Sequence, residues 1–355
     1  MIFACFMIPL WSQVRMRLIT RAISWLSTGY LITFVIQSVL LFGGLGGKRF
    51  TPPLARLIPG DKGSMQVILA DHSTLFGLPS IRSVLYTPDP PILGLCALFC
   101  ILICLAEPNK TLRKFAIAGA IVALLCSASR SAMLLLPLAL VIGHFLQSGW
   151  FRQIALWLAS LTFLISSILS LTLADLRQGA SGIFNRVRDN AGDSTQERAF
   201  VVRETLKAWQ ESPWVGWGVI RGRVNLYEDV YITLGSFSTY SAVLYLHGII
   251  GFAIFVMALV LTLWSTYQPA INGQSFFNWA FSGLIALYIA CNATPLSWMA
   301  VNIWFFFLWL GSLLSDYLQD RTIVQWEHLR GNDDWQNQVK QDLKPLDTFE
   351  HKFPM

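Results

Sequence analysis

Residues 91–147 decide the fold class: PILGLCALFCILICLAEPNKTLRKFAIAGAIVALLCSASRSAMLLLPLALVIGHFLQ. Three apolar runs follow one another here, separated by one short basic connection and by the junction SASRSA (residues 127–132), which leaves almost no loop. A membrane-spanning helix needs about 20 mainly apolar residues, whereas a surface helix of a soluble protein is apolar along one stripe only. The stretch therefore predicts consecutive membrane-spanning helices.

The composition of the whole chain agrees with a membrane protein. Of 355 residues, 54% are hydrophobic and 13% are charged, whereas a soluble domain carries roughly 25% charged residues. The apolar pattern recurs along the chain, so we predict an all-α fold, a polytopic transmembrane helix bundle with about eight spans. The predicted spans are residues 26–46, 91–106, 115–129, 131–147, 153–173, 239–265, 277–294 and 300–316.

The basic residues of the short connections predict the orientation. They lie before the first span, between the second and third, and between the fourth and fifth, so alternating helices put them on one side, the cytoplasm. Both termini are then cytoplasmic. The transmembrane bundle comprises residues 1–316, including the outer loops 47–90 and 174–238, and residues 317–355 form a polar cytoplasmic tail. The apolar run 1–10 is too short to span and is either an interfacial anchor or the tail of a helix from a longer protein.

The second outer loop contains a predicted amphipathic helix. Ser194-Thr195-Gln196-Glu197 fits a capping box, and the apolar positions within Val202–Trp209 share one helical face. Pro213 should stop this helix. The following Trp214-Val215-Gly216-Trp217-Gly218 predicts a tight turn with aromatic side chains near the membrane surface. We expect the helix to lie against the bundle.

Arg130 is the first candidate for a functional residue. It lies between two apolar runs, and an arginine at membrane depth is costly unless it has a role or a partner. The alternative is an interfacial arginine that extends its side chain to lipid head groups. Ser129 and the other small hydroxyl residues around Arg130 leave room for a ligand, so we predict that both residues bind substrate.

The second outer loop has as many acidic as basic residues. Near neutrality argues against a surface for polyanions such as nucleic acid, but it permits a few arginines to hold one diphosphate, which suits their planar guanidinium groups. Arg198 stands near the start of the predicted helix, where the helix dipole disfavours a cation, so we expect a ligand or a salt bridge there. Arg203 and Tyr240 are further candidates for substrate binding.

The sequence contains no Walker loop, no GxGxxG, no HExxH and no close pair of acids in the spans. We therefore expect no cofactor and no metal. The scarcity of acids in the spans also argues against an ion-coupled transporter. His247 lies within a predicted span and is the candidate catalytic base, and the alternative is a packed, hydrogen-bonded histidine.

Five segments together are typical of one protein family, and they cover roughly residues 80–255. They resemble the Ser-Arg junction, the arginine helix, the Pro-x-x-Gly-x-Gly turn, the glycine pair and the Pro-Asn segment of the O-antigen ligase and polymerase family of bacterial membrane proteins. Taken in the same order, the segments are Ser129-Arg130-Ser131-Ala132, Glu197-Arg198 with the helix that follows, Ser212-Pro213-Trp214-Val215-Gly216-Trp217-Gly218, Gly248-Ile249-Ile250-Gly251 and Tyr86-Thr87-Pro88-Asp89-Pro90.

The resemblance implies a metal-independent glycosyltransferase of the bacterial inner membrane, with its catalytic face outside the cytoplasm. Its partners would be a polyprenyl-diphosphate-linked glycan as donor, a sugar or lipid-glycan acceptor, and membrane lipids. Arginines would hold the diphosphate, and a histidine would deprotonate the acceptor hydroxyl, so that the lipid diphosphate is displaced with inversion. We then expect Arg130 and Arg198 to converge on one outward-facing cavity near the membrane surface.

One position departs from the family, which usually has a histidine eleven residues before the first glycine of the pair. Counting back from Gly248 gives Phe237, and a phenyl ring cannot take a proton. Either His247 or His72 substitutes, or the loop is rearranged, or the activity is lost. Three functions stay open: a glycan ligase or polymerase, a catalytically inactive relative that binds a lipid-linked glycan or scaffolds polysaccharide assembly, and a membrane transporter of the bicarbonate type.

Overall fold

The computed structural model describes residues 2–12, 14–45, 49–50, 67–68, 70–75, 78–83, 87, 89–147, 192–227, 230–274 and 276–330. These residues are mainly helical, as predicted, and they also form short two-stranded antiparallel sheets that the sequence analysis did not predict. The predicted span 153–173 and the tail beyond residue 330 lie outside the described residues.

The elements are numbered in chain order within the described residues. The sheets pair β1 with β2, β3 with β4 and β5 with β6. The helices are α1 (Ile2–Ser12), α2 (Met16–Leu40), α3 (Pro90–Cys104), α4 (Lys110–Ser127), α5 (Arg130–Gln147), α6 (Gly192–Gln210), α7 (Thr239–Ile271), α8 (Phe277–Ala290), α9 (Leu296–Ala300) and α10 (Trp304–Arg330). The strands are β1 (Arg49–Phe50), β2 (Val67–Ile68), β3 (Ala70–Leu75), β4 (Leu78–Ser83), β5 (Arg223–Tyr227) and β6 (Val230–Thr233).

A helix occupies each predicted span that lies within the described residues. Helix α2 continues into a π-helical segment, Leu41–Leu45. By length and hydropathy, the combined segment Met16–Gly44 and the helix α7 are long and apolar enough to cross a membrane, and α3, α5 and α8 are shorter apolar helices. Few residues in the most apolar stretch of α7 are fully buried within the protein, as expected of a helix that faces lipid. The number of spans and their orientation stay predictions.

Small polar side chains on one face of α2 allow the neighbouring helices to approach closely. Thr20, Ser24 and Ser27 are spaced by three or four residues and are fully buried. A Cβ on Gly119 of α4 would overlap the carbonyl oxygen of Ser27, so the two backbones are in contact. Small residues have this role between membrane helices. Because Thr20, Arg21 and Ser24 interrupt the apolar run, the predicted span began at residue 26, whereas α2 begins at Met16.

One end of the bundle contains the α4–α5 junction, and we call it the junction end. Ser129 in this junction packs against Gly94, near the start of α3, where an added Cβ would lie 2.6 Å from the Ser129 Cβ. Further along α3, the Cys96 thiol lies 3.6 Å from the Asn302 carbonyl, in the connection between α9 and α10. The starts of α3, α5 and α10 therefore meet at this end.

The start of α7 lies at the same end, beside the segment that connects α8 to α9. The Thr239 amide donates to the Cys291 carbonyl (2.8 Å), and the Thr239 hydroxyl donates to the Thr294 carbonyl (3.0 Å). The Leu296 amide in turn donates to the Thr239 hydroxyl oxygen (2.7 Å). Residues 291–302 thus join the start of α7 to the starts of α3 and α10.

Candidate functional site

The helix that carries Arg198 is the one predicted in the second outer loop. It runs over Gly192–Gln210, so it begins two residues before the predicted capping Ser194 and ends before Pro213. Arg198 consequently lies in the second turn of α6. Because the helix dipole acts mainly in the first turn, it does not explain the placement of this arginine.

The buried face of α6 is displaced by one residue from the predicted stripe. Val201 and Thr205 are fully buried, whereas the predicted apolar positions within Val202–Trp209 are half-buried. Thr205 tolerates burial because its hydroxyl donates to the Val201 carbonyl (2.7 Å) and accepts from the Gly235 amide (3.0 Å). The second bond fixes α6 to the turn that precedes α7.

Helix α7 is broken at Gly248. This residue has φ 62° and ψ −167°, a backbone conformation that is essentially restricted to glycine. An unbroken helix would pair the amides of Ile249 and Ile250 with the carbonyls of Tyr245 and Leu246. The break therefore leaves two donors and two acceptors in need of other partners.

The turn of residues 213–218 supplies all four partners, and we call this pairing the turn–helix contact. The contact leaves no space for side chains, because a Cβ on Gly216 would lie 2.5 Å from the Leu246 carbonyl carbon and a Cβ on Gly248 would overlap the Trp214 carbonyl. Two of the segments that resemble the family, the turn and the glycine pair, are thus one structural unit. The bonds run from Trp217 N–H to Tyr245 O (2.9 Å), from Gly218 N–H to Leu246 O (2.8 Å), from Ile249 N–H to Pro213 O (2.8 Å) and from Ile250 N–H to Trp214 O (3.3 Å).

Arg198 lies beside the start of α7. Its Nη1 donates to the Ala293 carbonyl (3.1 Å), and its guanidinium carbon lies 5.5 Å from the centroid of the Phe237 ring. A guanidinium over an aromatic face is attracted by the electrons of the ring. Within the described part of the chain, no carboxylate forms a salt bridge with Arg198. Arg198 is therefore held by neutral groups. One of them is the ring of Phe237, the residue that departs from the family pattern.

Arg130 is the first residue of α5 and is half-buried. Ala128 follows α4 in a left-handed conformation (φ 46°), and Ser129 directly precedes α5, with its hydroxyl 3.5 Å from the Ala132 amide and 3.3 Å from the Ser131 hydroxyl. A cation in the first turn of a helix is disfavoured by the dipole. The position of Arg130 is thus one that a bound anion would stabilise.

Arg130 and Arg198 both belong to the junction end. Ser129, next to Arg130, packs on Gly94 of α3, and Arg198 bonds to Ala293 in the connection after α8. That the two guanidinium groups face one cavity stays a prediction.

The remaining candidates lie in different surroundings. Arg203 is exposed and lies about 140° around α6 from Arg198. Tyr240 is 3% exposed, and its hydroxyl donates to the Tyr288 carbonyl (2.8 Å). His247 is exposed beside the break in α7, about 12 Å along the helix from the start of α7.

The sequence analysis did not single out Arg221. Its guanidinium carbon lies 5.0 Å from the centroid of the Trp217 ring, and its amide donates to the Tyr245 hydroxyl (3.1 Å). In the sequence, Arg221 follows Trp217 by four residues. This spacing alone is a weak indication of a cation–π contact, because the turn between the two residues is known only from the fold. In the described residues, no group of three or more His, Cys, Asp or Glu side chains is placed to hold a metal ion.

Residues 115–256 match the family described as O-antigen ligase. The matched part of the chain is therefore similar to this family, and it includes Arg130, Arg198, the turn and the glycine pair. The resemblance stated from the sequence is thereby confirmed, although the segment at 86–90 lies before the matched residues. No curated protein and no solved structure matches the chain. The match supports glycan transfer of the O-antigen ligase type in surface polysaccharide biosynthesis.

Proposed function

We propose that this protein transfers a glycan from a polyprenyl-diphosphate donor to a sugar hydroxyl on the extracytoplasmic face of the bacterial inner membrane. The observation that carries the proposal is the setting of Arg198, a cation held by a carbonyl and an aromatic ring and without a salt bridge in the described residues. A cation held in this way keeps its charge available for an anionic ligand. The match of residues 115–256 to the O-antigen ligase family supports the type of reaction.

The proposed reaction breaks one bond and forms one bond at the anomeric carbon of the donor glycan. The acceptor oxygen attacks this carbon, and the bond to the diphosphate oxygen breaks, so that the lipid diphosphate leaves with the bonding electrons. Negative charge grows on the leaving oxygen, and Arg198 and Arg130 stabilise it, as fixed cations do in other transfer reactions. The acceptor loses its hydroxyl proton, for which His247 is the candidate base.

A catalytically inactive glycan-binding protein is the second candidate, and one observation favours it. Phe237 occupies the position at which the family usually has a histidine, and its ring contacts the arginine of the site. His247 is separated from this position by the first part of α7, about 12 Å. Such a protein would bind the lipid-linked glycan without transferring it.

The test is transfer from a polyprenyl-diphosphate glycan in proteoliposomes that contain the full chain. We expect the wild type to transfer glycan and Arg198→Ala or Arg130→Ala to lose at least about 100-fold in rate, the effect of removing a group that stabilises transition-state charge. Lys207→Ala is the matched control, because Lys207 is an exposed cation on the same helix, paired with Glu204 (2.7 Å).

Two outcomes would change the conclusion. Transfer by Phe237→His but not by the wild type would identify this chain as an inactive relative of an enzyme. Equal rates in the wild type and in both arginine variants would refute the role of the arginines.

A further inference from the structure

Ser238 follows Phe237 and is the N-cap residue of α7. It is fully buried, yet its hydroxyl makes no hydrogen bond within the described part of the chain, neither to the first turn of the helix nor elsewhere. Leaving a buried hydroxyl unpaired costs free energy, because the group has lost its water. Ser241, one turn later, is also buried, but its hydroxyl has a partner because it donates to the Ser238 carbonyl (3.2 Å).

Three features that attract an anion meet at this point. The first turn of α7 presents the positive end of the helix dipole. The Ser238 hydroxyl is a donor without a partner in the described residues. The Arg198 guanidinium rests on the ring of Phe237, the residue next to Ser238. A helix start, a hydroxyl and a guanidinium are together a common set of partners for phosphate.

The contact with Phe237 orients Arg198 without neutralising it. A carboxylate in the same place would compete with an anionic ligand for the guanidinium, whereas a ring face and one carbonyl leave most of its five donors available. The ring therefore suits a site in which the arginine is prepared before the ligand arrives.

We propose that Ser238 and Phe237 complete the binding site for the diphosphate of the donor. Ser238 is a binding residue whose hydroxyl donates to a phosphate oxygen, and Phe237 is a positioning residue that holds the Arg198 guanidinium. The proposal rests on the function proposed above and deepens it. It also gives Phe237 a role in binding that does not require a proton acceptor.

The test for Ser238 is the affinity of the full chain in lipid nanodiscs for farnesyl diphosphate, with farnesol as the uncharged reference. Ser238→Ala should weaken binding about 10- to 100-fold, as expected for the loss of a hydrogen bond to a charged group. Its melting temperature without ligand should stay equal or rise, because the unpaired hydroxyl is gone. Ser241→Ala is the matched control and should bind within about twofold of the wild type, since its hydroxyl already has a partner.

The test for Phe237 uses the same probe. Phe237→Leu keeps an apolar side chain but removes the ring, and it should weaken binding about fivefold or more, as expected for the loss of a partly desolvated cation–π contact. Phe237→Tyr keeps the ring and should restore binding, which a general packing defect would not show.

The outcomes separate this inference from the proposed function. Binding that is lost in Arg198→Ala but unchanged in Ser238→Ala and Phe237→Leu overturns the inference and leaves the proposed function standing. If Ser238→Ala melts at a lower temperature and its affinity is unchanged, the hydroxyl has a structural role, and this result also overturns the inference. Failure of the wild type to prefer farnesyl diphosphate over farnesol overturns both.

Discussion

Replacing Gly248 by alanine tests whether the turn–helix contact holds Arg198 in place. The new Cβ would overlap the Trp214 carbonyl, and φ at this position is 62°. Keeping the present backbone costs roughly 1–3 kcal/mol in strain, and the overlap adds to this because neither backbone can move alone. The alternative is a straight α7 that expels the turn.

The cost of the straight helix follows from counting hydrogen bonds. The contact contributes four backbone bonds, and a straight α7 regains two of them within itself, from the amides of Ile249 and Ile250. The net loss is two bonds, about 2 kcal/mol. At roughly 2–4 °C per kcal/mol for larger domains, the melting temperature of Gly248→Ala should fall by about 4–8 °C.

Hydrogen exchange and ligand binding give the decisive measurements. The amides of Trp217 and Gly218 donate to α7 in the wild type, so they should lose protection in Gly248→Ala, and binding of farnesyl diphosphate should weaken. Gly273→Ala is the matched control, because it has a similar φ of 74° but no atom within 4 Å of its Cβ position. If Gly248→Ala matches Gly273→Ala in amide protection and affinity, the contact does not position Arg198 and the reasoning fails.

Two further predictions concern packing away from the site. The Glu107 side chain is fully buried and accepts from Arg21 (3.2 Å), whose own side chain is 54% exposed. Arg21→Ala leaves this buried carboxylate without its cation and should lower the free energy of unfolding by about 1–3 kcal/mol, measured against the exposed Arg17→Ala; an equal effect of the two variants would contradict this. Gly119→Ala should destabilise the folded protein by about 1–3 kcal/mol, because its Cβ would overlap the facing backbone of α2. Gly29→Ala, with open space around its Cβ position, is the control and should be neutral or stabilising. Equal melting temperatures of the two variants would refute the close packing of α2 and α4.

The helix positions could be predicted wherever an uninterrupted apolar run ends at a polar or helix-breaking residue. α3 was predicted at 91–106 and extends over Pro90–Cys104, and α5 was predicted at 131–147 and extends over Arg130–Gln147. α2 was predicted ten residues short because its buried Thr20 and Ser24 look polar in the sequence. Burial of a hydroxyl depends on its partners, and partners are a property of the fold.

The strands were not predicted, although the composition of one pair contained a signal. Residues 230–233 read Val-Tyr-Ile-Thr, all of them residues that favour strands. They follow a β5 segment whose register shifts between Asn225 and Tyr227. An irregular hairpin of this kind breaks the alternation on which strand prediction depends.

Within the candidate site, the sequence indicated which segments are special but not which of them touch. The turn at 213–218 and the glycine pair at 248–251 were recognised separately. Their contact depends on a backbone conformation at Gly248 that no residue pattern specifies. The same holds for Phe237, which the sequence identified only as an absent base, whereas the structure gives it a neighbour, Arg198.

The contacts of α6 suggest why the family-like segments occur together. The turn after α6 is bonded to the break in α7, and Thr205 in the middle of α6 is bonded to Gly235, just before Phe237. The helix is therefore fixed at two points, and Arg198 lies about two turns before the nearer one, Thr205. A change at either point should move the guanidinium relative to the start of α7. Holding Arg198 beside the start of α7 thus depends on the turn and on Gly248 as well as on α6 itself.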